Sequence, residues 1–364
     1  MKTVEEMMHV DTYYSSLPHL RNAFKARGRQ YAFKASNPQE YAEWKNRTRA
    51  RLAEILGLTL MERAPLAPEC ASVEQMDGYR REKWLIQTEP DVYMPFYILI
   101  PDSVKPGDKN ACIIAPHGHA SAGKNCIAGR SEIPCVAEHI KISNYAYGVE
   151  YVKRGYTVFC PDARGFGERR ESGMQRDDAN AFMHSSCEQL NHMAIPLGLS
   201  VCGMWVWDLM RLTDYICTRE DCDPERIACG GLSGGGLQTL YFAAMEDRIR
   251  CAISSGYFYG VDESLLVMSL NCSCNFVPHM WETCDMGDIG ALIAPRPFLV
   301  ESGTEDGLNG ASGLANVESQ LNIARGAFKL FDAEDRLWWN VFEGPHMWNG
   351  AKSYDFMDKY LKGD

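Results

Sequence analysis

The chain has 364 residues, 46% of them hydrophobic and 23% charged, with 31 Gly and 17 Pro; this is ordinary globular composition and excludes disordered, collagen-like and coiled-coil chains. Its 37 Lys+Arg against 48 Asp+Glu give a net charge of −11, without the basic footprint of a protein that grips nucleic acid or anionic lipid. The first twenty residues carry Glu5, Glu6 and Asp11 where a signal peptide would have a basic start and an apolar run, and no apolar stretch nears the roughly 18 residues of a membrane helix.

Asn37-Pro38-Gln39-Glu40 reads as a helix start, with Asn37 as N-cap, Pro38 at the first helical position and Glu40 closing a capping box. Gly57 is the expected stop, and Tyr41, Trp44, Leu52, Ile55 and Leu56 share one face between them. Residues 1–78 are therefore expected to form a helical extension packed on a larger body, with Pro65, Pro68 and the polar run after them as a linker. Residues 79–364 are expected to form that larger body. There the period changes: 83–86 and 92–100 read as a strand pair ending at Pro101. Short apolar runs at 111–115, 156–160, 226–229, 252–254, 297–300 and 339–342 then alternate with helical stretches at 199–219, 235–244 and 312–330. Such alternation predicts an α/β fold: a doubly wound, mainly parallel sheet with helices on both faces, antiparallel at its first hairpin.

In open parallel sheets the reactive groups gather beyond the carboxyl ends of the strands. After 226–229 comes Gly230-Gly231-Leu232-Ser233-Gly234-Gly235-Gly236, which contains G-x-S-x-G between a strand and an apolar helix and marks Ser233 as a nucleophile. A phosphate-cradling loop would continue with Lys and Ser or Thr, whereas Leu237-Gln238-Thr239 follows. A serine needs a base held by a carboxylate. His346 follows the last strand, and among Glu301, Glu305 and Asp306, all beyond 297–300, Asp306 is the first choice for the acid. The loop Pro116-His117-Gly118-His119 after 111–115 is where a second oxyanion donor is expected, so the N–H groups of His119 and Gly234 are assigned to the hole.

Two further features flank these. Asp162 and Arg164, in Asp162-Ala163-Arg164-Gly165-Phe166-Gly167-Glu168, either orient substrate or pin their loop. Residues 169–197 are too long for a plain connection and are expected to fold over the site as a cap, with His184 and His192 as candidates to touch substrate. No metal is expected: His117 and His119 have no third ligand at suitable spacing, and Cys272-Ser273-Cys274 with His279 matches no common site. The 14 cysteines, scattered from Cys70 to Cys284 without a CxxC pair, are expected to be reduced thiols in a cytoplasmic protein.

Taken together, His117-Gly118-His119, the Asp162 to Glu168 turn, Trp207-Asp208, the Ser233 elbow and Leu292-Ile293-Ala294-Pro295-Arg296-Pro297 leading to Asp306 resemble the α/β-hydrolase superfamily, in its bacterial dienelactone-hydrolase-like and acetyl-xylan-esterase-like branch. The resemblance covers residues 79–361 and implies a Ser233, Asp306, His346 triad and hydrolysis of esters, in several relatives acetyl esters of sugars. Dienelactone hydrolase itself uses cysteine where this chain has Ser233, so lactone chemistry is not implied. Asp306 is followed by Gly307-Leu308-Asn309-Gly310, where relatives often carry an aromatic residue and a proline. The expected function is a serine hydrolase that cleaves carboxylic esters of small molecules without a cofactor; a homo-oligomer is compatible with the sequence. The alternatives are a peptidase of the prolyl-oligopeptidase type, which usually carries a propeller that fewer than about 80 leading residues cannot form, and a silent binding protein on the same scaffold.

Overall fold

The computed structural model describes residues 7–105, 107–269 and 271–362. Nine strands form one sheet: β1 (Glu69–Gln75), β2 (Tyr79–Glu89), β3 (Val92–Pro101), β4 (Asn110–Ile114), β5 (Thr157–Pro161), β6 (Cys222–Leu232), β7 (Ile249–Ser255), β8 (Phe298–Gly303) and β9 (Leu337–Phe342). Their order is β1-β2-β3-β5-β4-β6-β7-β8-β9. β1, β2, β3 and β5 pair antiparallel, and from β5 through β9 every pairing is parallel. β1 corrects the sequence reading, which took residues after Pro68 for a linker. The strand is almost wholly exposed at the sheet's edge, so it lacks the alternation of apolar and polar residues that would have revealed it.

The central strands are buried on both faces, and two apolar layers cover them. On one side lie α1 (Leu17–Arg27), α2 (Pro38–Ile55), α3 (Val201–Thr218), α4 (Gly234–Met245) and α5 (Leu314–Lys329); on the other lie residues 122–152 and α6 (Ala351–Met357). α2 starts as its sequence dictates, with the Asn37 side chain accepting from the N–H of Glu40 at 2.9 Å, and Gly57 adopts a positive φ of 82° just past its end. The expected capping box is shifted by one residue, since the Glu40 carboxylate accepts from the N–H and Oγ of Ser36, not from Asn37. Tyr41 and Trp44 are buried, and the Tyr41 hydroxyl donates to the carbonyls of Ala291 and Ala294, which fastens the extension to the main body. No single helix among the described residues is long and apolar enough to cross a membrane.

The sheet sets the site by register. β4 neighbours β6, with Ile114 beside Cys229, so the loops leaving their carboxyl ends run side by side toward His119 and Ser233. β8 neighbours β9, with Gly303 beside Phe342, so Asp306 and His346, three and four residues farther on, leave the sheet next to each other. Chain direction across the sheet switches at β4, the position where open α/β sheets hold their ligands.

Candidate active site

Ser233 caps α4 at φ 60°, ψ −120°, a conformation that costs a non-glycine residue free energy and holds the hydroxyl at the apex of a sharp strand-to-helix turn. The turn is tight because its flanks are. A Cβ on Gly231 would stand 2.5 Å from the Pro116 carbonyl oxygen, and one on Gly235 would meet the same oxygen. The glycines two residues either side of Ser233 therefore let β6 and α4 close on the β4 loop.

His346 stands in the loop after β9, its side chain 31% exposed, and its Nδ1 lies 2.7 Å from Oδ2 of the buried Asp306. The other carboxylate oxygen of Asp306 accepts from the N–H of Leu308, which fixes the turn that carries it. Ser233, Gly234, His119, Asp306 and His346 line one cavity of about 530 Å³, together with Tyr257, Tyr259, Met268, Asn271, Cys272, Asn275, Gly307 and Leu308. The competing acids are placed elsewhere. Glu305 is exposed, and Glu301 is fully buried, accepting from Ser255, Asn340, the N–H groups of Asn349 and Gly350, and Ser353. With its acceptor sites filled by five donors, Glu301 ties β7, β9 and the start of α6 together behind the His346 loop.

The loop after β4 is pinned from within by His117. This imidazole is buried, its Nε2 accepts from the N–H of Ala163 at 3.1 Å, and its Nδ1 lies 2.8 Å from the carbonyl of Gly118. Both contacts are satisfied by the neutral Nδ1–H tautomer. Burial pushes its pKa down to about 4. An unfolded histidine near 6.5 takes up a proton that the folded protein refuses, so stability is lost as pH falls from about 6.5 to about 4, on the order of 3 kcal/mol in all. His117→Gln, whose amide oxygen can still accept from Ala163, is expected to flatten this acid slope by up to one proton. Urea unfolding of both proteins at neutral pH and near pH 4.5 measures it, and an unchanged slope would refute the assignment.

The structure decides one open alternative and corrects two expectations. First, of the two roles open to Asp162 and Arg164, they take the pinning one: they are not among the cavity-lining residues and hold the framework. Asp162 is fully buried and accepts from Nζ of Lys124 at 2.6 Å and from the N–H of Lys124 and Glu168. Arg164 makes a two-pronged pair with Asp208, also bonded to Arg169, and reaches Glu89. Burial works against the Asp208 charge, yet Arg164 and Arg169 hold its pKa down at about 2, so the network is ionised. Second, His184 and His192 are exposed and stand outside the cavity lining, as does the rest of 169–197; the insertion instead braces the cavity wall at 271–275 from behind, with Asn191 Nδ2 donating to the Ser273 carbonyl. Third, His119 is not short of metal-ligand neighbours: its Nε2 is 3.5 Å from Cys274 Sγ, and Cys187 and Cys272 bring their sulfurs to the same place, whereas His279 lies exposed against Glu282.

The wall residues Tyr257, Tyr259, Met268, Asn271, Cys272 and Asn275 escaped the sequence reading. They follow β7, at the same carboxyl edge as the other loops, so the rule that located Ser233 would have found them had it been applied to the strand at 252–254.

A model of the abhydrolase family matches residues 2–324. The chain belongs to that family. Among its relatives this abhydrolase is 28% identical over 277 residues to "Putative hydrolase YtaP" of Bacillus subtilis (strain 168), across 75% of its own length and 85% of that protein. Its backbone is similar to that of the "putative acetyl xylan esterase (BF1801)" from Bacteroides fragilis NCTC 9343, with a TM-score of 0.74 at 21% identity, covering 92% of this chain and 84% of that one. A glucuronoyl esterase from Solibacter usitatus gives 0.64 at 14% identity, covering 92% and 96%. At these identities the structural likenesses establish the α/β-hydrolase fold of the abhydrolase.

Proposed function

We propose that this abhydrolase hydrolyses carboxylic esters of small or medium-sized molecules through an acyl intermediate on Ser233. The observation that supports it most is the 2.7 Å contact of Asp306 with His346 Nδ1 on the rim of the cavity that Ser233 also lines. With Nδ1–H held by the carboxylate, Nε2 carries the lone pair and takes the Ser233 proton as Oγ attacks the ester carbonyl carbon. The carbonyl oxygen gathers negative charge, which the N–H groups of His119 and Gly234 stabilise; each donor of this kind is worth roughly a hundredfold to a thousandfold in rate. Collapse of the tetrahedral intermediate returns the proton from His346 to the departing alkoxide and leaves the acyl-enzyme. Water, deprotonated by the same Nε2, then releases the acid and regenerates Ser233.

The lining is mixed: Asn271 and the mutually hydrogen-bonded Tyr257 and Asn275 stand beside Met268 and Leu308, so a bound ester would meet both polar and apolar surface. Together with the acetyl xylan esterase name borne by one structural neighbour, this supports sugars acetylated on a hydroxyl as the substrate class.

A fluorophosphonate probe tests the chemistry, and p-nitrophenyl esters of increasing acyl length beside acetylated sugars test the substrate. Labelling is expected at Ser233, with turnover highest for short acyl groups. An unlabelled protein would instead be a silent scaffold, and labelling with turnover of peptides but not esters would favour a peptidase.

A further inference from the structure

We propose that His119, Cys187, Cys272 and Cys274 form a structural zinc site beside the candidate active site. The ligand atoms of these four residues all lie within 4.8 Å of one another, and two of the cysteines are buried. They come from three remote places: the loop after β4, the 169–197 insertion and the segment after β7. The separation of 3.5 Å between His119 Nε2 and Cys274 Sγ matches the edge of about 3.6 Å of a tetrahedron with Zn–S about 2.3 Å and Zn–N about 2.0–2.1 Å.

The surroundings suit such an ion. Three thiolates around Zn2+ leave one net negative charge, and Asn275 Nδ2 points at the Cys274 sulfur from 3.6 Å, the kind of outer hydrogen bond that offsets it. The rings of Phe166 and Trp205, with centroids 5.2 and 6.5 Å from that of His119, pack against the imidazole and hold it in place. Thiolate and imidazole donors select zinc over the hard cations, and four protein ligands fill a tetrahedral shell, which makes the site closed and structural instead of catalytic. Binding replaces the three thiol protons with one cation, with no change of oxidation state.

The position gives the site a task. It clamps the cavity wall at 272–275 and the insertion at Cys187 to the residue whose N–H is assigned to the oxyanion hole. This consequence rests on the proposed esterase reading; the metal site itself does not.

The test is metal analysis of the full chain purified under reducing conditions from zinc-supplemented cells. About one zinc per chain is expected, unchanged in Ser233→Ala and reduced at least about tenfold in Cys272→Ser and Cys187→Ser. Cobalt added to chelator-treated protein is expected to give the thiolate charge-transfer band and intense visible bands of a tetrahedral site, so the proposal does not depend on the cysteine variants folding. Protein with neither zinc nor a cobalt spectrum would overturn it, as would a disulfide joining two of the three cysteines in place of the metal. Because Ser233→Ala keeps the metal ligands and Cys272→Ser keeps the nucleophile, failure of the metal site and failure of the esterase reading are separable.

Discussion

Ser233→Ala is expected to lower turnover of any ester the protein accepts by roughly 10⁶-fold, the loss seen when a serine hydrolase gives up its nucleophile alone. Among the cavity-lining residues Ser233 alone is a serine or threonine, so no second aliphatic hydroxyl stands in its place. The fold should survive. Alanine at φ 60° carries the same backbone strain as serine, and the Ser233 side chain makes no capping bond to α4 that its removal would break. Wild-type stability with abolished labelling and turnover is therefore the expected pair of results, read by thermal unfolding and by steady-state kinetics. Residual activity within about tenfold of wild type would end the assignment of Ser233 as nucleophile.

Asp306→Asn is expected to cost roughly 10⁴-fold in turnover with little loss of stability. The change is small in shape, and the asparagine oxygen can still accept from the N–H of Leu308, so the turn after β8 keeps its bond. What changes is the partner of His346. Asp306 accepts at Nδ1 from 2.7 Å, whereas an amide NH2 at that position donates, which drives the proton to Nε2 and removes the lone pair that must receive the serine proton. Glu301→Gln is the informative control. Its carboxylate accepts from five donors, so an amide there sets donor against donor inside the core; this variant should lose stability, and turnover should fall far less in the fraction that stays folded. If Glu301→Gln were the variant with intact folding and the greater loss of turnover, the acid would lie at the strand end and not at Asp306.

These predictions rest on features with different sources. The elbow around Ser233, the placing of His346 after the last strand and the alternation of β and α segments are legible in the chain, because each is a local pattern: glycine where Cβ atoms would collide, a short apolar run between turns, an amphipathic helix behind it. Local chemistry also determined the start and stop of α2. Three matters lay beyond such patterns. β1 was invisible because an exposed edge strand has no buried face to impress a period on its residues. Asp162 and Arg164 follow a strand as reactive groups do, and only packing reveals that Lys124, Asp208 and Glu89 consume their charges; a carboxylate with a buried partner and one facing a cavity are identical in sequence. The gathering of His119 with Cys187, Cys272 and Cys274 was equally hidden, since ligand spacing along a chain signals a metal only when the ligands share a local turn. Sequence by itself thus determined the fold class and the candidate chemical groups, through interactions between residues a few positions apart. Which groups face the cavity, which neutralise one another in the core and which converge from remote loops was decided by strand order and register, because only the folded sheet brings together residues from tens to more than a hundred positions apart.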